Sequence, residues 1–231
     1  MNELIRKRKS IRKYDPTPLN ATTLEKVREL FNEVKPLYTK IPFSIEIAPK
    51  TKGPFNIKAP QYLIFGSEEK DGFLENIGFI GQQIDLRLSA IGIGTCWLGA
   101  AKPTQKEDSA LPHVISMAFG NPAEPLHREY PDFKRKALTD ISQGSDPRLE
   151  AARLAPSAIN AQNWFFHAEN GKIHCYRKKA NPLLGLMFNK MHAIDMGIAI
   201  CHIAEETDNF RFEQDTCTPA RKGHVYTGTV L

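Results

Sequence analysis

The sequence predicts an α+β fold of two pseudo-symmetric halves, each with antiparallel or mixed strands flanked by helices. Three observations carry that expectation. Two long apolar segments, 73–91 and 187–204, have helical periodicity, and small residues keep one face of each thin. Each is preceded by a pair of extended runs. The order of helix, paired strands and glycine-containing helix therefore occurs twice, which makes an internal duplication the natural reading. The halves are expected at 1–144 and 145–231, meeting along the two long helices. Placed side by side without gaps, those helices match at Ile80/Ile194, Ile84/Ile198 and Ala90/Ala204.

The chain has 231 residues, 41% of them hydrophobic and 25% charged, enough for a sizeable core. Such a composition excludes collagen-like, coiled-coil and mostly disordered chains. The net charge of +5 favours anionic partners. No apolar run reaches the ~18 residues of a membrane helix, and the N-terminus is charged rather than signal-like. Cys96, Cys175, Cys201 and Cys217 lack CxxC spacing, so reduced thiols in a cytoplasmic protein are expected.

Taken in order, the first 19 residues crowd Arg6, Lys7, Arg8, Lys9, Arg12 and Lys13 into eight positions. Thr22 and Glu25 have capping-box spacing, and Leu24, Val27, Leu30, Phe31 and Val34 follow at helical period until Pro36. Extended runs at 43–48 and 62–65 come next, then the first long helix and Gly92-Ile-Gly-Thr-Cys-Trp-Leu-Gly99. Residues 113–120 read as a core strand. After Gly144-Ser-Asp-Pro147, Pro147 suits the first turn of a helix through Leu149, Ala152 and Leu154, which Pro156 stops. A hairpin follows, with Glu169-Asn-Gly171 as its turn. The tail from Cys217 is expected to be peripheral.

Four segments could carry chemistry. In Arg8-Lys-Ser-Ile-Arg12, two guanidinium forks and a hydroxyl can converge on one phosphate, although a solvated basic terminus has the same composition. Residues 92–99 could bring backbone N–H groups and Trp97 to a planar ligand, or simply cap a helix and start a strand. Pro156-Ser-Ala-Ile-Asn160, with Gln162 and Trp164, offers free backbone and small polar groups, or a capped turn. Arg135-Lys136, taken singly, reads as a surface pair.

Taken together, these segments resemble the nitroreductase family of FMN-dependent enzymes. That family has an R-R-S-I-R-like start, P-S-S-x-N-x-Q-P-W, G-L-G-T-C-W-I-G after its central helix, G-x-P-A-E and an R-K-P-L-E-E-I-like segment. Here stand Arg8-Lys-Ser-Ile-Arg12, Gly92–Gly99, Gly120-Asn-Pro-Ala-Glu124 and Arg135-Lys-Ala-Leu-Thr-Asp-Ile141. The Pro-Ser segment opens the second half instead of preceding the central helix, and the first half shows no copy of it. Ala158 replaces the motif's second serine and Asn163 its proline. In the ordinary family two subunits intertwine and each FMN takes its basic motif from one and its Pro-Ser motif from the other. This chain resembles such a dimer fused into one polypeptide with one site kept, as in the TM1586-like nitroreductases.

The resemblance implies roles. Arg8, Ser10, Arg12 and Arg135 would hold the FMN phosphate end, with Lys9 near the isoalloxazine edge. Pro156, Ser157, Ala158 and Asn160 would contact ring or ribityl chain from the other half, and Trp97, Leu98 and Gly99 would line the flavin face. The flavin performs the redox step, so no protein nucleophile is required. The implied function is an NADH- or NADPH-driven oxidoreductase acting on a small-molecule electron acceptor, a nitroaromatic or quinone. No nucleic acid or membrane is expected as partner, and a monomer would act as its own pseudo-dimer. The competing functions are a flavin-binding protein without turnover and a basic nucleic-acid module; the latter lacks interleaved aromatics. His192 and His202 read as core histidines, Cys96 as a small buried hydrophobe, and Phe165-Phe166 as core.

Overall fold

The computed structural model of the chain describes residues 3–105, 111–180, 185–214, 218 and 220–231. After a short helix α1 (Glu3–Lys7), α2 (Ala21–Glu33) is capped by Asn20, whose side chain accepts the Thr23 N–H at 2.9 Å. The expected Thr22/Glu25 capping box is therefore corrected by two positions: an asparagine in extended backbone caps as well as a threonine and lies closer to the first free N–H groups. Val27 and Val34 are buried, with Leu24, Leu30 and Phe31 packed against the core, as the periodicity predicts.

The first half holds a four-stranded sheet in the order β1-β3-β6-β4. Its strands are β1 (Phe43–Ala48), β3 (Gln61–Ser67), β4 (Gly94–Leu98) and β6 (His113–Gly120), every pairing antiparallel. The fragments β2 (Thr51–Lys52) and β5 (Lys102–Pro103) pair beside it. The second half holds β7 (Ser142–Gln143), β8 (Trp164–Glu169), β9 (Lys172–Lys178), β10 (Phe212–Glu213) and β11 (His224–Val230) in the order β10-β11-β9-β8-β7, with only β7–β8 parallel. Read from β8, this is β8-β9-β11-β10, the same sequence of early hairpin, late strand and edge strand as β1-β3-β6-β4. The Asn170-Gly171 turn of the β8–β9 hairpin has φ of 50° and 74°, a geometry that these residues tolerate.

The tail is not peripheral. His224–Val230 lies between β9 and β10, and Thr227, Thr229 and Val230 are buried. The sheet supplies the backbone partners that a segment of such mixed polarity does not advertise alone. Cys217 itself lies outside the described residues.

Between the sheets run α3 (Phe73–Ala90) and α6 (Gly185–Ala204), the most extensive packing between any two elements. The remaining helices, α4 (Leu138–Ile141) and α5 (Arg148–Leu154), lead into the second sheet. Close approach of α3 and α6 depends on two glycines. A Cβ on Gly78 would lie 2.1 Å from the Ile194 carbonyl oxygen, and one on Gly197 1.9 Å from that of Glu75. Gly78 to Gly197 and Glu75 to Ile194 are both steps of 119 positions, so the two contacts exchange when the helices exchange. The gap-free pairing of Ile80 with Ile194 is thus corrected by five positions. Side-chain type misplaced the register; the backbone crossing sets it.

The same exchange reaches the loops. Tyr38 N–H donates to Asn76 Oδ1 at 2.9 Å, and Ala158 N–H donates to Asp195 Oδ1 at 2.9 Å. Asn76 to Asp195 is again 119, and Tyr38 to Ala158 is 120. The first half therefore has a structural counterpart of the Pro156–Ala158 turn after all: Pro36-Leu-Tyr38. Near the N-terminus, Arg8 bridges His127, and Arg128 N–H donates to the Lys7 carbonyl at 2.9 Å, a pair of contacts that a step of 120 also interchanges.

Candidate functional site

A cleft between the halves is lined by Ser10 and Arg12 from the N-terminal segment, Cys96, Trp97 and Gly99 from β4 and its exit, and Ile115 from β6. From the second half come Pro156, Ser157, Ala158 and Ile159, with Met191, Ile194, Asp195 and Ile198 of α6. Seven of the expected site residues thus meet in one place: Ser10, Arg12, Trp97, Gly99, Pro156, Ser157 and Ala158.

The other five stand around it. Leu98 points the opposite way from its strand neighbours and is buried against Tyr62 and Ile64, as alternation along β4 requires. Lys9 is held by Glu124, Nζ to Oε2 at 2.8 Å, and by the Pro125 carbonyl at 3.1 Å. Asn160 accepts from Arg135 Nη1 at 2.6 Å and donates to the Lys134 carbonyl at 2.7 Å. Arg8 is 1% exposed, with Nε 2.8 Å from Asp85 Oδ2. The glycines after α3 serve packing as well: a Cβ on Gly94 would strike Ile11 at 2.6 Å.

Glu124 organises the basic segment. Its carboxylate accepts the Arg12 and Lys13 N–H groups at 2.7 and 3.1 Å in addition to the Lys9 ammonium. Partial burial alone would raise its pKa, but these donors outweigh it and hold the group at about 2.

Beneath the cleft lies a polar chain that links both halves. Trp97 Nε1–H donates to Gln82 Oε1 at 3.3 Å, and Gln82 Nε2 donates to Asp85 Oδ2 at 2.8 Å and to His202 Nε2 at 3.2 Å. His202 Nδ1–H donates to the Ala151 carbonyl at 2.9 Å, which fixes Nε2 as the acceptor. Thr95 Oγ1 donates to Asp85 Oδ1. Burial, with Arg8 and Arg135 nearby, pushes His202 down to about 3, so the ring is neutral. His202 and His192 are core histidines, as expected. His192 accepts from Asn163 Nδ2 at 2.7 Å, a contact that the family's proline could not make.

The residues present fit an anionic cofactor. Arg8 Nη1, Arg128 Nε and Arg135 Nε are buried without a hydrogen-bond partner among the described residues. Burial, then repulsion from Arg8, Arg128 and Arg153, pushes Arg135 down to about 9; burial, then Arg8 and Arg12, lowers Arg128. Arg128 and Arg135 also share the Phe133 ring, at 4.8 and 5.4 Å from its centroid. Cations crowded together with unused donors suit a phosphate group. Arg128 and Asp195 were missed in the sequence. The first sits in a polar connection, the second inside an apolar helical run; an acid within such a run is the signal that marks it. No group of three or more His, Cys, Asp or Glu among the described residues could hold a metal. No helix among them is long and apolar enough to cross a membrane.

The fold is shared with a solved structure. A Thermotoga maritima MSB8 nitroreductase, described there only as putative, aligns with a TM-score of 0.66 at 22% identity, covering 99% of this chain and 90% of that one. A nitroreductase family protein of Clostridium novyi NT aligns at 19% identity and TM-score 0.44 over 53% of this chain and 84% of its own. An FMN-dependent nitroreductase of Clostridium difficile R20291 aligns at 17% identity and TM-score 0.43 over 58% and 95%. No curated protein matches the chain. The family model described as "Putative TM nitroreductase" matches residues 1–206. With the match spanning nearly the whole sequence, the chain belongs to the TM1586-like nitroreductase family.

Proposed function

We propose that this protein is an FMN-dependent oxidoreductase that takes hydride from NADH or NADPH and passes it to a small nitroaromatic, quinone or related acceptor. One observation carries the reading: Ser10 and Arg12 share a cleft with Pro156, Ser157 and Ala158 from the far half of the chain, over Trp97 and Gly99. Bound there, flavin would supply the hydride-transfer chemistry. The chain's own residues bind and orient. Arg12 and Ser10, with Arg8, Arg128 and Arg135 behind them, would take the phosphate. The apolar walls Trp97, Ile115, Met191, Ile194 and Ile198 would exclude water from the ring.

We further read the chain as two fused repeats with one flavin site. The steps of 119 and 120 support it, and they start the second repeat before His127 rather than at the Gly144–Pro147 break. A second cleft includes Tyr38, Gly72 and Glu75, which the same steps carry onto Ala158, Met191 and Ile194 of the first. There Tyr38 stands where the first cleft has Ala158. Ser10 and Arg12 are carried onto Tyr130 and Asp132, so the phosphate motif is absent from that side.

The test is flavin content of the protein as purified, followed by bleaching with NADH or NADPH and recovery on adding a nitroaromatic or quinone. Arg12→Ala is expected to lower FMN occupancy markedly. Bleaching without recovery by any acceptor would make the protein a flavin carrier; colourless protein that FMN does not bind would end the reading.

A further inference from the structure

Asp195 stands at a position where the two repeats agree in geometry but differ in chemistry. Its carboxyl caps the Pro156–Ala158 turn through the Ala158 N–H, at 2.9 Å to Oδ1 and 3.2 Å to Oδ2. Asn76 does the same for Tyr38 with an amide. Capping therefore needs only a carbonyl-type oxygen. An acid in this place brings something more, a proton, and brings it to the cleft that Ser10 and Arg12 line. Asp195 is 4% exposed and lines the cleft among Trp97, Ile159, Met191, Ile194 and Ile198.

Resting on the flavin reading above, we propose that Asp195 is a cofactor-binding residue whose carboxyl must carry its proton for FMN to bind. Two physical arguments support this. A ligand that fills the cleft strips the remaining water from the carboxyl, which an ionised group resists far more than a neutral one. The isoalloxazine edge also carries more acceptors than donors, and a protonated carboxyl adds a donor while its other oxygen keeps the Ala158 N–H.

The surrounding charges leave the group to itself. Arg12 and Cys96 are the other ionisable side chains among the described residues lining the cleft, and burial pushes the Cys96 thiol up. On α6, burial lowers the His192 pKa below its ordinary value, against an opposing pull from the Lys178 carbonyl. On the elements packed against α6, Glu75 pairs with Arg177, Asp85 with Arg8, Arg153 with Glu150 and His174 with Glu169. Lys178 of β9 gives its carbonyl to His192. Burial is the main influence on the Asp195 carboxyl and raises it to about 7, against a smaller opposing pull from the Ala158 N–H.

The experiment is calorimetric titration of flavin-free protein with FMN between pH 6 and 8, in two buffers of different ionisation enthalpy, for the native protein and Asp195→Asn. Ionisation of the FMN phosphate affects both proteins alike, so the difference between them is read. At pH 8 the native protein is expected to take up about one proton more per FMN than the variant. Its dissociation constant should rise about tenfold more between pH 6 and 8, the change expected for one group titrating near 7. Equal proton counts and equal pH slopes would overturn the proposal. If the variant fails to fold, the native titration still decides, since absence of proton uptake at pH 8 overturns it. Failure of FMN to bind at any pH is a different result and sinks the flavin reading itself.

Discussion

Gly78 and Gly197 each receive the other helix's backbone: the Ile194 carbonyl presses on the first and the Glu75 carbonyl on the second. Two opposed glycines bring α3 and α6 to backbone contact, and α6 carries Met191, Ile194, Asp195 and Ile198 into the wall of the cleft.

Alanine at either position should therefore separate the helices. Helix propensity alone would favour alanine over glycine by ~1 kcal/mol. The contact of about 2 Å outweighs this, because the obstructing atoms are backbone and cannot rotate away, and overpacking of this kind costs ~1–3 kcal/mol or more. Gly78→Ala and Gly197→Ala should each lower the denaturant midpoint by a similar amount, and FMN affinity with it. Unchanged midpoints would show that the crossing is slack.

The arginine cluster predicts a trade between stability and binding. Arg128 is half-buried beside Arg8 and Arg12, with its Nε buried and unpartnered among the described residues. Arg128→Met removes a repelled charge while keeping a chain to lie on Phe133. Flavin-free protein should be as stable as native or more so, whereas FMN affinity should fall about tenfold, near the ~1.5 kcal/mol of one charge-assisted hydrogen bond. Thermal melts with and without FMN measure both. A variant destabilised when flavin-free and unchanged in affinity would remove Arg128 from the site.

How much of this was legible in the sequence depends on range. The stripes of α2, α3 and α6 and the β8–β9 hairpin were readable because period and turn chemistry are local. The strand 224–230 was not, because its place comes from β9 and β10 on either side. In the site, Ser10, Arg12, Trp97 and the Pro156 turn were legible as motifs. Arg8 and Lys9 belong to the same motif, yet Asp85 and Glu124 bind them, and both partners are remote in sequence. The register between α3 and α6 was misread because isoleucines recur along each helix at several shifts, while the glycine crossing allows one.

Glu124→Gln should loosen the basic segment. The native carboxylate is held well below its unfolded pKa, so its contribution is complete above about pH 4.5 and fades as pH falls through that range toward 2. The ion pair with Lys9 is partly solvated, which limits the stability change to ~1–2 kcal/mol. FMN binding should suffer more than stability does, because the segment positions Ser10 and Arg12. Equal FMN affinity in native and variant would show that the segment holds its shape without Glu124.

His202 predicts acid sensitivity from the chain beneath the cleft. Its folded pKa lies near 3, below the ordinary value of 6.5, so the unfolded chain binds more protons between those limits. Stability is full above 6.5 and falls as pH drops through this window, by at most ~1.4 kcal/mol per pH unit. Asp195 runs the other way, since a raised carboxyl costs stability as pH climbs from about 4 to 7. The two slopes overlap, so the measurement belongs on the Asp195→Asn background. There, His202→Gln should flatten the fall in unfolding free energy between pH 6.5 and 4. A glutamine cannot bridge Gln82 and the Ala151 carbonyl with the same geometry, so a uniform loss of ~1–3 kcal/mol should accompany the flattening. A variant that keeps the native acid slope would place the titrating group elsewhere.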